Sequence, residues 1–389
     1  MLKRKANVWI TGLTSLFTDI SSEMVYPIIS LYIKALGGGA VALGFIEGLA
    51  ESTASLLKVF SGAISDRVGK RKPLAVSGYS LSALGKLLFY LARSWPVVLV
   101  GRVVDRFGKG VRTAPRDALI AESVGSEGRG GAFGLHRAMD TAGAVIGILI
   151  AYWIISRFHL HAGDASLWIP VFKKLLLASL FPALLGVAIL LAAVETGRGP
   201  IKRSVKLTFS GLDIRLRWVL AVVLLFTLGN SSNQFILLRA AEPDLGFSPQ
   251  KVVLLYLFYN IFYMLVSYPA GRASDRLGRK PLLVLGFLLY SSTYFLIALR
   301  PNLIWAAMAL YGLYSGVSEG VMKALVSELA PSERKATLLG LLATLEGIGL
   351  LPASLIAGFL WSYISPSAPF LFGGASALIS ALIFWWKVR

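Results

Sequence analysis

Cysteine is absent from the chain, and acidic residues are few: Asp and Glu number 20 against 39 Lys and Arg, with His at 3. Without cysteine there is no disulfide framework, no thiol nucleophile and no thiolate metal site. Charge as a whole is thin, at 15% of residues, where a soluble chain carries about 25%. Long polar stretches are also missing, apart from Glu195–Arg217. No glycine loop of the phosphate-cradling kind occurs, which excludes an ATP-driven pump. No nucleophile–base–oxyanion set or ligand cluster at metal spacing is present either. An enzyme is therefore not expected, nor a cofactor, nor a bound metal.

What the chain has is apolar surface: 56% of residues are hydrophobic and the mean hydropathy is +0.70. Twelve spans are predicted, at roughly 8–33, 43–65, 73–93, 97–121, 131–156, 168–193, 217–240, 251–271, 281–299, 302–328, 336–361 and 369–386. Each is long enough to cross a bilayer core of about 30 Å as a helix. The fold class is thus an all-α membrane protein. In a soluble protein a net charge of +19 would point to nucleic acid. Here the basic residues collect in alternate loops, among them Lys72, Lys202, Arg203 and Lys206, so the charge reads as topology. Both termini should be cytoplasmic, and no nucleic-acid partner is expected. Lys3-Arg4-Lys5 leads into an apolar run too long for a signal and without a small-residue cleavage site, so no cleavable leader is expected.

A short loop sequence occurs twice. Gly62-Ala-Ile-Ser-Asp66-Arg67-Val-Gly69-Lys70-Arg71 returns as Gly271-Arg-Ala-Ser-Asp275-Arg276-Leu-Gly278-Arg279-Lys280, each copy between two apolar segments. Other pairs align with it: Ser21-Ser22-Glu23 with Ser231-Ser232-Asn233, and Arg129, Gly134 and Asp140 with Lys335, Gly340 and Glu346. With this duplication the chain resembles the major facilitator superfamily (MFS) of secondary transporters over its whole length. The resemblance implies two pseudo-symmetric six-helix bundles, 1–194 and 217–389, joined by a cytoplasmic linker at 195–216. It also implies alternating access, a substrate cavity lined by spans one, four, seven and ten, and a monomer in the cell membrane. The repeated loop implies a cytoplasmic gate. Gly62 and Gly271 would permit close helix approach and Gly69 and Gly278 a tight turn. Asp66 and Asp275, beside Arg67 and Arg276, would accept bonds from a helix N-terminus, for Asp66 that of the eleventh span near Arg334.

Ionisable groups at membrane depth each cost about 2.5–3.5 kcal/mol even on a lenient scale, yet this chain has many. Asp19 and Glu23 sit one turn apart in the first span. Glu47, Glu51 and Lys58 fall within about 40° of one another on the second. The third contains Lys86. The fourth reads Gly101-Arg102-Val-Val-Asp105-Arg106-Phe-Gly108-Lys109-Gly110-Val-Arg112-Thr-Ala-Pro115-Arg116-Asp117. Arg102, Gly108 and Gly110 match the family's Arg-x-x-Gln-Gly-x-Gly, while Asp105 and Arg106 depart from it. Its five basic residues form a stripe about 21 Å long that cannot face lipid. It must line water or be neutralised by Asp19, Glu23, Glu47, Glu51 and Asp140. Arg112, Arg116 and Asp117 fall toward the gate; Arg102, Arg106 and Lys109 are substrate-cavity candidates with Glu47 and Glu51. Asp19, Glu23, Asp140 and Glu346 are candidates for carrying a coupling proton, with His136 a possible relay and otherwise a structural histidine.

The second half offers neutral groups instead: Asn230, Asn233 and Gln234 on the seventh span, Tyr256 and Asn260 on the eighth, and beside them Glu319 on the tenth. These suit the orienting of a substrate. Gly134, Gly143 and Gly147 follow the spacing of the family's antiporter motif, although Ile148 replaces its proline. The reading is a proton-coupled exporter of a small organic solute. An anion transporter or exchanger using the fourth-span stripe is the alternative. A metal-cation exporter and a non-transporting receptor rank lower.

Overall fold

A computed structural model describes residues 2–124, 129–158, 160–161, 165–196, 213–330 and 335–388, and these form helices joined by turns and short irregular segments, without strands. The first span is α1 (Leu2–Val25) and α2 (Ile29–Ala35), separated by a tight turn at Tyr26-Pro27-Ile28. Then follow α3 (Ala40–Val68), α4 (Lys72–Leu91), α5 (Trp95–Ser123), α6 (Arg129–Ser156) and α7 (Ala165–Leu191). The seventh span is again split, into α8 (Ile214–Gly229) and α9 (Gln234–Ala240). It is followed by α10 (Pro249–Leu277), α11 (Arg279–Leu299), α12 (Ile304–Leu329), α13 (Lys335–Tyr363) and α14 (Ala368–Lys387).

Local sequence explains the punctuation. Proline stands at the first or second position of α4, α5 and α14, where its missing N–H costs nothing. Gly69 and Gly278 turn the chain with φ of 68° and 88°, a region that L side chains seldom enter. By length and composition nine of the spans, counting α8 with α9, suit a membrane among the described residues. The spans that fall short are α1, α5 and α12. All are long enough, but α1 and α5 carry the charges noted above, and α12 holds Glu319, Lys323 and Glu328 among tyrosines, serines and glycines.

The helices sort into two compact units: Met1–Gly38, Leu49–Val205 and Ser248–Val253 in one, Gly39–Gly48, Lys206–Phe247 and Leu254–Arg389 in the other. The first turns of α3 thus group with the second unit and the rest of α3 with the first. In the first unit α1 packs on α6 and α7, and α4 on α5 and α7. In the second α8 packs on α13 and α14, and α11 on α12 and α14. Span for span these are the same four pairings, so the duplication seen in the loop motif extends to the packing. Residues 197–212 of the expected linker, and the Arg334 region, lie outside the described residues.

Candidate functional site

Within the basic stripe of α5, Arg102, Arg106 and Arg112 are buried and Lys109 and Arg116 half-buried. Arg102 and Arg106 are only 2% and 8% exposed. Glu51 lies 3.5 Å from Arg102 and 2.8 Å from Arg106. Asp105, one of the departures from the family pattern, lies 3.8 and 3.9 Å from the same two guanidinium groups. The Arg102 guanidinium also stands over the Tyr26 ring at 5.5 Å. Lys109 lies in the field of Arg106, Glu51 and Lys58. Arg112 donates to Ser82 at 2.6 Å and stacks over Tyr79 at 4.3 Å, while Arg116 is held by its neighbour Asp117 at 2.8 Å. Of the two arrangements open to the stripe, internal neutralisation accounts for Arg102 and Arg106.

A second cluster joins α1 to α6. The charges acting on Asp19 come from Asp140, Arg112, Glu23 and Lys109. Asp140 also approaches His136, with Nδ1 to Oδ2 at 3.4 Å. His136 Nε2 and Asp140 Oδ1 are buried without a hydrogen-bond partner among the described residues. What brings α1 and α6 so close is glycine. A Cβ on Gly143 would sit 2.4 Å from the Leu16 carbonyl oxygen, and one on Gly147 2.4 Å from that of Ile20. The glycines of the antiporter-like spacing therefore form a packing seam, except Gly134, which has open space. Lys86, 2% exposed, donates to Ser22 at 3.2 Å and lies in the field of Asp105 and Asp19.

Glu47 does not join Glu51, although the two share a helix face. It is fully buried and accepts from the Ser232 hydroxyl at 3.1 Å, at the break in the seventh span. That break was not visible as such in the sequence, where hydropathy runs on through 217–240. The signal lay in Gly229-Asn230-Ser231-Ser232-Asn233, residues whose side chains compete with the helix for backbone bonds. The gap is closed locally: Asn230 N–H bonds to Thr227 O at 3.1 Å, Ser232 Oγ accepts from Gln234 N–H at 3.3 Å, and Tyr311 hydroxyl donates to Asn233 Oδ1. Gln234 is fully buried.

The second unit holds a cavity of about 340 Å³ whose wall includes Asn230, Tyr259, Tyr263, Tyr311, Tyr314, Glu319, Lys323 and Glu346. Three of these, Asn230, Glu319 and Glu346, were candidates from sequence. Asn233 touches it through Tyr311. Tyr256 and Asn260 are absent from the wall. Tyr256 is buried and stacks on Tyr259 with centroids 5.8 Å apart, while Asn260 donates back to the Tyr256 carbonyl at 2.8 Å. Tyr311 and Tyr314, one turn apart on α12, were overlooked. Their signal was the Tyr-x-x-Tyr spacing on a span otherwise poor in hydropathy. Glu319 accepts from Tyr263, and Lys323 lies 3.0 Å away.

In each copy of the repeated loop an arginine bridges the motif aspartate to a glutamate near the end of a distant helix. Arg71 meets Asp66 at 2.7 Å and Glu122 of α5 at 3.0 Å. Arg279 meets Asp275 at 3.8 Å and also Glu328 of α12. Arg67 and Arg276 are exposed. A Cβ on Gly62 would lie 3.3 Å from Ala114, whereas Gly271 has nothing within 4 Å. Around Arg71 a further clamp forms. Glu195 accepts from the backbone N–H groups of Arg71 and Lys72 at 2.9 and 3.0 Å, and Lys72 donates to Leu191 O at 2.7 Å. Asn7 bonds Val194 through both its N–H and its carbonyl.

A family model described as Major Facilitator Superfamily matches residues 11–238 and again 219–389. An uncharacterized MFS-type transporter of Methanocaldococcus jannaschii is 37% identical over 387 residues, covering 97% of this chain and 94% of that one. Multidrug resistance protein MdtH of Proteus mirabilis is 29% identical over 323 residues, or 82% of this chain and 77% of its own. Among solved structures, a D-xylose–proton symporter aligns with a TM-score of 0.74 at 18% identity, over 100% of this chain and 98% of that one. A POT family transporter solved with 5-aminolevulinic acid aligns at 0.79 and 12%, over 97% and 95%. Likeness at these identities is one of fold. With two matches along one sequence and a relative 37% identical over nearly all of both chains, this protein belongs to the Major Facilitator Superfamily, as a multi-pass membrane transporter and not an enzyme.

Proposed function

We propose that the protein exports a small organic solute in exchange for protons, working as a monomer by alternating access in the cell membrane, with both termini cytoplasmic. The observation that carries the coupling is the contact of Asp140 with His136, with Asp19 in the electrostatic field of Asp140 and of the basic groups of α5. A carboxyl group at membrane depth can hold a proton there and release it when Arg112 or Lys109 comes to face it. His136 Nε2 and Asp140 Oδ1, with no partner among the described residues, leave positions through which such a proton can pass. Recognition falls to the tyrosine-walled cavity of the second unit, whose volume is within the usual range for small-molecule sites. The multidrug resistance named for MdtH supports a small organic solute and its export. An anion site on α5 fits less well, since Glu51 and Asp105 already occupy Arg102 and Arg106.

The test is transport in proteoliposomes under an imposed pH gradient, with exchange of solute across the same membrane as control. Asp19→Asn or Asp140→Asn should abolish pH-driven movement and leave exchange, which needs no net proton transfer. Full pH-driven transport in both variants would remove the coupling assignment and send the search to Glu23 and Glu346.

A further inference from the structure

The wall of the second unit's cavity has a chemistry of its own. Four tyrosines, Tyr259, Tyr263, Tyr311 and Tyr314, line it together with two carboxylates, Glu319 and Glu346, and one ammonium, Lys323. The rings form a continuous set. Tyr259 lies parallel to Tyr263 within 3° at 6.2 Å, and contacts Tyr311 at 5.2 Å, which contacts Tyr314 at 5.5 Å. Three of the hydroxyls are already donating: Tyr259 to Ser315, Tyr263 to Glu319, and Tyr311 to Asn233. What those three rings offer an occupant is therefore π surface more than hydrogen bonds. An aromatic face is negative and attracts a cation, most strongly where water is excluded. Two carboxylates against one ammonium give the wall an excess of acidic groups, and the Tyr314 phenol lies in the field of Glu346 and Glu319. An anion entering would meet like charge and would have to shed its hydration without recompense. A bare inorganic cation would leave most of about 340 Å³ unfilled.

We infer that this cavity binds a monovalent organic cation bearing flat apolar groups, its charge facing Glu346 and Glu319 and its apolar groups lying against the tyrosines. The inference rests on the reading of this unit as the recognition half, but not on proton coupling. Lys323, 3.0 Å from Glu319, then competes with the cation for that carboxylate.

Equilibrium binding to the purified full chain tests it, with radiolabelled tetraphenylphosphonium as the cation and tetraphenylborate as its near-isosteric anion. The expected result, with each ion titrated separately because the two pair in water, is saturable binding of phosphonium and none of borate. Glu346→Gln should weaken binding at least tenfold, whereas Lys323→Gln should tighten it several-fold. Tyr314→Leu should weaken it about as much as Glu346→Gln, and Tyr314→Phe should retain it, because the ring and not the hydroxyl is used. Opposite shifts from two charge removals in one wall cannot come from misfolding. No saturable phosphonium binding, equal affinity for borate, or shifts of the same sign in the Glu346 and Lys323 variants would overturn the inference. Phosphonium binding without pH-driven transport would leave it standing and overturn the coupling. PH-driven transport of other solutes by a chain that does not bind phosphonium would do the reverse.

Discussion

Arg71 concentrates more structure than any single residue of the repeated loop. Its guanidinium reaches Ser65, Asp66 and Glu122, while its backbone N–H is taken by Glu195. Asp66 is therefore one of two carboxylates on the same cation, and Asp66→Asn should leave Arg71 paired with Glu122 and the fold intact. As a proposed gate element Asp66 touches no substrate, so turnover in reconstituted vesicles should fall severalfold with little change in apparent affinity; unchanged turnover would show that it has no part in gating. A pH effect belongs to Asp244, in the loop after α9. Hydrogen bonds from the buried Arg239, at 2.6 and 2.7 Å, hold its carboxyl below the usual range. A depressed carboxyl contributes stability above its unfolded value, near 3.9, and loses it as pH falls through the folded one. Asp244→Asn should thus lower thermal stability at pH 7 by about 1 kcal/mol, discounted for its exposure, and the gap from wild type should close below about pH 4. Asp66 and Gly69 were legible in the sequence because the motif repeats. Glu122 and Glu195 were not, since nothing local tells a carboxylate which arginine it will meet across the fold.

Among elements, α4 and α5 cross at two reciprocal glycine pairs. A Cβ on Gly78 would lie 2.6 Å from the Gly108 carbonyl oxygen, and one on Gly108 2.4 Å from that of Gly78. Gly85 and Gly101 repeat the arrangement at 2.6 and 2.9 Å. Such backbone proximity is how membrane helices associate where no hydrophobic drive separates protein from lipid. It also places Ser82 against Asp105 O and Arg112, so the charged stripe depends on the crossing. Gly85→Ala and Gly108→Ala should each cost about 1–3 kcal/mol through overpacking, read as a lower melting temperature in detergent. Gly271→Ala, which meets open space, should cost far less. Equal losses at all three would mean that the crossing is looser than it looks. Span positions were legible because twelve apolar runs leave few alternatives. The interruptions at Pro27 and at Asn230–Asn233 were not, because hydropathy averages over a window wider than the gap.

For the whole molecule, a length and composition fit for a membrane are unevenly shared among the spans. The three helices too polar to fit, α1, α5 and α12, belong to the first, fourth and tenth spans, three of the four on which the family resemblance puts a cavity; the seventh, α8 with α9, is apolar enough. Polarity that weakens a span as a lipid-facing helix is what a transporter needs on its inner helices. The tyrosine-rich cavity was only half legible for the same reason: Asn230 and Glu319 stand out in an apolar sequence, but Tyr311 and Tyr314 pass for ordinary packing. The orientation rests on loop charge alone. Reporter domains fused after Arg198 and after Arg389 should both read as cytoplasmic, and an external signal from either would invert or break the twelve-span scheme.

The clamp that receives Val194, Glu195 and Thr196 has a bearing on how the gene can be divided. The chain leaves the first six spans already stitched down, by Asn7 on one side and by the start of α4 on the other. A severed end beyond Thr196 would not fray back into the bundle, because Glu195 already caps the start of α4. A gene divided there would give a first message whose product ends on a tail already fastened to its own helices.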